Sequence, residues 1–284
     1  MKTAFLGASL ADMKTSTAVV VLALVCVAQS SQAAVEYMPS YANILLGNGG
    51  SNPPPTDGLW YMDRTAPAGF GTEPACQGRT DVLKISILGT SPSGNAGGTN
   101  FYALQGREYG ISQQNTGWTL SADLFVESGW ASSSNGLRRA ELWGVSMNAG
   151  GYGAGLPAIG FTNEGSGIGR FRFATGNWNE TWSNLDATVN YGAWNSLQLE
   201  FDPTANLFKY RVNGVLQASF TSIVPVPSFG AQLGGTSTGL LSTIMQTYNY
   251  GQDYSVCWSN TAVPAPGAAA LLGLCGLMAA RRRR

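Results

Sequence analysis

Short runs of alternating apolar and polar residues determine the fold class of this 284-residue chain. In Trp118–Val126, for example, Leu120 and Leu124 fall on one side of an extended strand, because successive side chains point to opposite faces. Gly, Asn and Ser, which favour turns, separate such runs. No long stretch between residues 34 and 262 shows helical periodicity. The pattern predicts an all-β fold, a two-sheet β-sandwich or jelly roll.

Ten segments between residues 34 and 262 show enough alternation or apolar character to be predicted as strands. They are Val82–Leu88, Trp118–Val126, Glu141–Met147, Ala158–Thr162, Ile168–Ala174, Trp194–Phe201, Leu207–Val212, Leu216–Phe220, Leu240–Gln246 and Tyr254–Asn260.

The dipeptide Asn213-Gly214 lies between two of these segments and is typical of a β-hairpin turn. A two-residue turn pairs Tyr210 with Gln217, which mixes apolar and polar side chains on one face. A three-residue turn with a left-handed bulge at Gly214 keeps the apolar residues together. We therefore predict the bulged register, which pairs Val212 with Leu216, Tyr210 with Ala218 and Phe208 with Phe220.

The amino terminus, residues 1–33, is typical of a secretory signal peptide that engages the Sec translocon. Lys14 precedes an apolar core at residues 18–28, and small residues follow. We expect cleavage after Ala33 or Ala34. Because Met13 repeats the Met-Lys-Thr that opens the chain, we expect translation to start there.

The carboxyl terminus, residues 263–284, combines a short apolar segment with four arginines. As a helix, residues 267–280 cover about 21 Å, whereas a bilayer core is roughly 30 Å thick. The positive-inside rule places the arginines in the cytoplasm; they are Arg281, Arg282, Arg283 and Arg284. Two interpretations of this terminus are therefore kept, a permanent tail anchor and a transient sorting signal.

Val263, Pro264 and Pro266, followed by the apolar segment and the arginines, resemble the C-terminal sorting signal of PEP-CTERM proteins. Ala265 stands where that family has a central glutamate. The resemblance implies processing by an exosortase, transient anchoring in the inner membrane and delivery to the cell surface or extracellular matrix. The two terminal signals leave residues 34–262 as the predicted β-sandwich domain.

The predicted domain is acidic, although the whole chain has no net charge. The chain contains 16 basic and 16 acidic residues, and the terminal signals hold six of the basic and one of the acidic ones, which leaves −5. We expect no nucleic-acid partner, because such binding needs clustered basic residues. The chain has no histidine, which excludes a Ser-His-Asp triad, a Cys-His pair and His-ligated metal sites.

Two cysteines, Cys76 and Cys257, lie in the predicted domain. An even pair in an exported domain predicts a disulfide bond. It would join the N-terminal third of the domain to its last strand.

The residues from Trp194 to Leu216 resemble the core hairpin of concanavalin A-like, laminin-G-type jelly rolls, and Tyr254–Asn260 is similar to their last strand. This fold hosts lectins, glycosidases, lyases and adhesive modules, so the resemblance implies no single function. Laminin-G-type sandwiches often hold calcium. No Asp cluster with loop spacing marks such a site here, so we assign no metal and expect no cofactor.

The segment around Trp178 and Trp182 is the first candidate site. Sugars bind where an aromatic face packs against C–H groups while amides and carboxylates bond the hydroxyls, and Asn179 and Glu180 supply those groups. Tyr152, in a Gly-rich segment, is a further glycan-binding candidate. The alternative is that both tryptophans cap the sandwich core, as large aromatic residues usually do.

Acidic residues form the second candidate. Glu200 and Asp202 resemble part of the acidic strand of jelly-roll glucanases, although glycoside hydrolysis needs two acids facing one bond. Glu141 or Glu180 would have to supply the partner by a tertiary contact. The alternative is a solvated strand face that ends in an Asp-Pro turn.

The third candidate combines Arg138 and Arg139 with Glu141 and Trp143. Polysaccharide lyases of this fold use an Arg with Gln, His and Tyr, and the missing histidine favours a rim of salt bridges instead. We therefore predict an exported, non-catalytic β-sandwich with weak binding to extracellular polysaccharide. The alternatives are a polysaccharide-degrading enzyme and a purely structural matrix protein.

Overall fold

The structure, a computed structural model, describes residues 35–37, 60–64, 69–73, 76–80, 82–90, 104–114, 117–151, 153–176, 182–224 and 235–264. The architecture is that of the compact unit 36–266. Several predictions concern residues outside the described ones: the signal peptide with its cleavage sites at Ala33 and Ala34, the apolar segment 267–280, Pro266, the four terminal arginines, Trp178, Asn179, Glu180 and Tyr152.

The described residues form β-strands joined by turns. The strands are β1 (Val35–Tyr37), β2 (Trp60–Arg64), β3 (Gly69–Glu73), β4 (Val82–Ile87), β5 (Leu104–Gln114), β6 (Trp118–Val126), β7 (Arg139–Met147), β8 (Gly153–Thr162), β9 (Arg170–Gly176), β10 (Trp182–Asn184), β11 (Ala193–Asp202), β12 (Leu207–Val212), β13 (Val215–Thr221), β14 (Ile223–Val224), β15 (Gly235–Thr236), β16 (Gly239–Tyr248) and β17 (Tyr254–Pro264). Two 3₁₀ turns, Ser128–Ala131 and Ser133–Asn135, follow β6.

Two antiparallel sheets contain most of these strands. In the first sheet the order is β13-β12-β11-β6-β17-β4-β3, with β1 also pairing with β17, and in the second it is β10-β9-β8-β7-β16-β5-β2. Strands β14 and β15 form a small separate sheet. Among the described residues, no helix is long and apolar enough to cross a membrane. The predicted all-β, two-sheet architecture is confirmed for this part of the chain.

The core lies between the two sheets and follows from the alternation. Leu120 and Leu124 of the first sheet and Leu142 and Phe161 of the second are buried in one apolar cluster. Close approach of the sheets favours a glycine at position 144, because a Cβ there would lie 3.0 Å from the Trp118 ring, which would have to move by a few tenths of an ångström. Burial of these side chains supplies the main stabilising free energy of the sandwich.

Each of the ten predicted segments overlaps a strand, and Trp118–Val126 and Leu207–Val212 are confirmed at both ends. Other strands extend further, because β8 begins at Gly153 and β17 continues to Pro264. The predicted hairpin joins β12 to β13, as expected.

The bulge of this hairpin lies elsewhere than predicted. Val212 pairs with Val215 and not with Leu216, so the turn consists of Asn213 and Gly214 alone. Both residues have positive φ, 50° and 78°, as a two-residue turn of the mirror-image type requires. The register shifts further along, between Tyr210 and Arg211, and this shift restores two of the predicted pairs, Tyr210 with Ala218 and Phe208 with Phe220.

The predicted disulfide between Cys76 and Cys257 is confirmed. It fixes residues 76–80 against the outer face of the first sheet. Arg79 also holds this segment against the sheet. The carbon of its guanidinium lies 4.3 Å from the centroid of the Trp194 ring, and one of its terminal nitrogens lies 2.6 Å from the carboxylate of Asp123.

Candidate functional site

A buried cluster of charged and aromatic side chains lies on the face of the second sheet that points away from the first. We call it the Trp182 cluster; it consists of Arg139, Glu141, Trp143, Arg172, Trp182 and Gln246. Strand register accounts for its assembly, since antiparallel pairing places residues from four adjacent strands in one row across the sheet. That row is Arg172, Gly160, Glu141 and Gln246.

Glu141 is the centre of the cluster and is fully buried. Its carboxylate accepts hydrogen bonds from both Nε and a terminal nitrogen of Arg139, the latter at 3.0 Å, and from Arg172 at 2.8 Å. The indole N–H of Trp143 donates at 3.0 Å and the amide of Gln246 at 3.4 Å. The carboxylate is thus compensated by two cations, as a buried charge requires.

A glycine between the two strands allows this geometry. Glu141 on β7 and Arg172 on β9 are separated by Gly160 on β8. A Cβ at Gly160 would lie 2.8 Å from Cγ of Glu141. The missing side chain therefore lets the carboxylate and the guanidinium meet across the intervening strand.

The electrostatics make Glu141 a fixed anion. Burial alone would raise its pKa, but the charges and hydrogen bonds of Arg139 and Arg172 outweigh that effect and lower it. A general acid needs a pKa near the operating pH. The arrangement therefore suits a carboxylate that positions two arginines better than one that transfers protons.

Trp182, the described member of the aromatic candidate site, lies on β10 at the margin of the cluster. It is half-buried, meets Trp143 edge to face at 5.8 Å between ring centroids, and has the guanidinium carbons of Arg172 and Arg139 at 4.2 and 5.5 Å from its ring. It packs against a cluster separate from the main core. Part of the aromatic surface thus stays accessible beside two fixed cations.

Tyrosines border the same face. The guanidinium carbon of Arg139 lies 5.8 Å from the ring of Tyr248. The rings of Tyr248 and Tyr250 are tilted by 45° to each other, with 4.4 Å between their centroids. Burial raises the pKa of both phenols, with a further contribution from Glu164. Both phenols therefore stay protonated at neutral pH.

The acidic pair of β11, Glu200 and Asp202, lies apart from the Trp182 cluster, on the outer face of the first sheet. Lys209 bridges the two carboxylates at 3.2 and 2.7 Å, and Asp202 also accepts from the backbone N–H of Thr204 and Ala205 in the turn. The core separates these acids from Glu141, so they cannot act with it on one bond. The solvated strand face with its Asp-Pro turn is confirmed.

The two neighbouring arginines have different environments. Arg138 donates to the carbonyls of Leu137 and Asn135 and to the side chain of Gln252, and its guanidinium lies 4.8 Å from the Tyr254 ring. In the described part of the chain its partners are thus carbonyl and amide oxygens and not the carboxylates of the expected salt bridges. Arg139, in contrast, is buried in the Trp182 cluster.

Sequence reasoning identified Arg139, Glu141 and Trp143 together but missed Arg172 and Gln246. Arg172 lies between Phe171 and Phe173, so its outward direction could have been inferred from strand alternation. Gln246 gave no such signal. In the described part of the chain, no group of three or more metal-ligating side chains is close enough to hold an ion.

No family model and no curated protein matches the chain. Solved structures with a similar fold include a sialidase, with a TM-score of 0.44 and 10% identity over 73% of this chain and 17% of that chain. Alginate lyase vAL-1 from Chlorella virus has a TM-score of 0.43 and 12% identity, and the match covers 72% of this chain and 92% of that chain. Carbohydrate binding module CBM66 from Bacillus subtilis has a TM-score of 0.36 and 8% identity, and the match covers 72% of this chain and 95% of that chain. The chain thus spans less than a fifth of the sialidase. With TM-scores below 0.5, these likenesses support no statement about function.

Proposed function

We propose that this protein is an exported, non-catalytic β-sandwich of the concanavalin A-like jelly-roll type that binds glycans through the Trp182 cluster. One observation carries the proposal: the partly exposed ring of Trp182 lies beside the guanidinium groups of Arg139 and Arg172, which Glu141 holds in place. The exposed part of the Trp182 ring suits packing against the C–H groups of a sugar, and the buried ionic contacts beneath it hold the ring in place. Prearranged groups also lose little conformational entropy on binding.

Binding to a glycan array, followed by affinity measurements on the strongest hits, tests this proposal. We expect Trp182→Ala to weaken binding about tenfold, the equivalent of about 1.4 kcal/mol. Trp194→Ala is the matched control, because Trp194 is also half-buried beneath a guanidinium but lies on the first sheet. Equal affinities of the wild type and Trp182→Ala would contradict the proposal, and the absence of any saturable binding would favour a purely structural matrix protein.

The environments of the acidic candidates support a non-catalytic role. Glu141 has a lowered pKa between two arginines, and hydrogen bonds from Lys209 lower the pKa of Asp202. Hydrolysis by two carboxylates needs one of them to be protonated near neutral pH. Release of reducing sugars from neutral or acidic polysaccharides would overturn this part of the proposal.

Export and sorting form a further part of the proposal. The signal peptide would bring the chain to the Sec translocon, and the motif beginning at Val263 and Pro264 would bring it to an exosortase-type enzyme. Mass spectrometry of the exported protein tests both expectations. We expect a new amino terminus at Ala34 or Val35 and loss of the arginine tail; an intact tail on all exported molecules would favour permanent anchoring.

A second candidate function, polysaccharide lyase, gains support from one specific observation. Arg139 and Gln246 both contact Glu141, and Tyr248 lies beside Arg139. These are three of the four residue types that the resemblance to lyases implies. In such an elimination a base removes the proton beside the uronate carboxylate and the adjacent glycosidic C–O bond breaks. The departing oxygen takes up a proton to become a hydroxyl group, and a carbon–carbon double bond remains.

Ultraviolet absorbance of the unsaturated product distinguishes the two functions. If the protein is a lyase, incubation with uronate polysaccharides produces this absorbance, and Tyr248→Phe abolishes it. We expect neither, because the pKa of Tyr248 is raised and the phenol is a poor base.

A further inference from the structure

A second concave site lies away from the Trp182 cluster. It is an open cavity of about 430 Å³ between the outer face of strands β4 and β17 and the 3₁₀ turns after β6. We call it the disulfide cavity because Cys76 and Cys257 form part of its wall. Its volume falls within the range of about 300–1,000 Å³ that is usual for small-molecule sites.

Among the described residues that line the disulfide cavity, the charges balance one another. Lys84 and Arg138 supply two positive charges, and Glu127 and Asp253 supply two negative ones. A cavity with equal numbers of opposite charges gives no net attraction to an anion or a cation. It favours a neutral, polar ligand.

The hydrogen-bonding capacity that remains in the cavity favours a ligand rich in hydroxyl groups. Glu127 is exposed, and its carboxylate has no hydrogen bond or ion pair with the described residues. Asp253 accepts a backbone N–H from Gly89 through one oxygen, which leaves its other oxygen available. The terminal nitrogen of Arg138 that donates to the Asn135 carbonyl carries a second hydrogen, which has no acceptor among the described residues. Hydroxyl groups, unlike ammonium groups, can both donate to the carboxylates and accept from the guanidinium.

We propose that the disulfide cavity binds a neutral sugar residue, whose hydroxyl groups donate to Glu127 and Asp253. Trp130 and Tyr254 form the aromatic part of its lining. The site is independent of the Trp182 cluster, so either can exist without the other.

Gly129 permits a direct test, because it lines the cavity and a Cβ placed on it meets no atom within 4 Å. Gly129→Leu places a bulky side chain at the wall of the cavity, with no clash at its first atom. Glu127→Gln removes the acceptor charge while preserving shape. Asp186→Asn is the control for charge loss, since Asp186 is exposed and does not line the cavity.

The experiment measures binding of glucose, galactose and mannose to the full chain by saturation-transfer NMR and calorimetry. We expect at least one hexose to bind the wild type, with affinity lowered about tenfold by Glu127→Gln. Gly129→Leu should abolish that binding, and Asp186→Asn should leave it unchanged. Circular dichroism confirms the fold of each variant.

Two charged analogues test the ligand class. Glucuronate should bind more weakly than the neutral hexose, because the balanced charges of the cavity do not offset the desolvation of its carboxylate. Binding of glucosamine alone, no hexose binding, or hexose binding unaffected by Gly129→Leu would each overturn the proposal. Trp182→Ala should leave hexose binding intact, which separates failure of this site from failure of the Trp182 cluster.

Discussion

The carboxylate of Glu141 compensates the charges of two buried arginines. Arg139 and Arg172 reach it from neighbouring parts of the second sheet, and all three side chains are buried. Removing one partner of a buried ionic group leaves the others uncompensated, whereas an exposed ion pair contributes little. Glu141 should therefore matter far more for stability than the acids on the outer face of the first sheet.

We expect Glu141→Gln to lower the free energy of unfolding by about 3–5 kcal/mol at pH 7. Glu200→Gln should change it by less than about 1 kcal/mol, because Glu200 belongs to a partly exposed pair. Urea denaturation of both variants measures the difference. Equal losses in the two variants would show that the buried position of Glu141 has no special effect.

The same carboxylate gives the stability a pH dependence. Because the pKa of Glu141 is lowered in the folded state, the unfolded chain takes up the proton at a higher pH. The stabilisation is thus complete above the unfolded value of about 4.3 and is lost as pH falls through the folded pKa. We expect the stability gap between wild type and Glu141→Gln to narrow below about pH 4; a gap that stays constant down to pH 3 would contradict this.

Residue type and alternation predicted part of the Trp182 cluster, but the contacts depended on tertiary structure. Arg139 and Glu141 are two residues apart on one strand, so their common face was visible in the sequence. Arg172 reaches them only because Gly160 interrupts the intervening strand. A glycine inside a strand can signal such a crossing, but it does not say which side chain uses the space.

At the scale of elements, the hairpin between β12 and β13 shows what local sequence determines. The Asn213-Gly214 turn was predictable because few residues adopt left-handed conformations readily. Apolar pairing by itself predicts a bulge at the turn. The structure instead combines a tight two-residue turn with a register shift inside the strands. The turn thus keeps its preferred conformation, and the apolar side chains still lie on the face that points to the core.

A comparison of Gly214 with Gly129 shows whether backbone strain, rather than side-chain crowding, causes the loss of stability when a glycine is replaced. A Cβ at Gly214 or Gly129 meets no atom within 4 Å, but only Gly214 has a left-handed φ, of 78°. We expect Gly214→Ala to cost roughly 1–2 kcal/mol of folding free energy, and Gly129→Ala to be neutral or slightly stabilising. Thermal unfolding measures both, and equal effects would show that φ is not the cause.

Strand β5 shows why part of the second sheet was missed. Its sequence, Leu104–Gln114, contains two glycines, an arginine and a glutamate, which obscure the alternation. Pairing with β16 on one side and β2 on the other nevertheless makes it an interior strand, next to the edge of the sheet. Burial and cross-strand partners override weak strand propensity, and single-sequence reasoning sees neither.

At the scale of the whole molecule, composition and periodicity predicted the class of fold and the disulfide, whereas the order of strands required the structure. Cys76 and Cys257 are separated by 181 residues, so their bond closes a long loop. We expect the variant with Cys76→Ser and Cys257→Ser to lose about 2–5 kcal/mol of unfolding free energy. Denaturation without reductant measures this loss, and an unchanged midpoint would contradict it.

Arg79 and the disulfide fasten the same segment, 76–80, and should therefore act together. The disulfide already holds the segment near the sheet, so Arg79 gains its contacts with Trp194 and Asp123 at little further cost in chain entropy. Without the disulfide, those contacts must also offset the ordering of the segment. We expect Arg79→Ala to cost about 1 kcal/mol in the wild type and less in the cysteine-free variant. A double-mutant cycle measured by urea denaturation gives the coupling directly, and strictly additive losses would mean that the two attachments stabilise the sheet face independently.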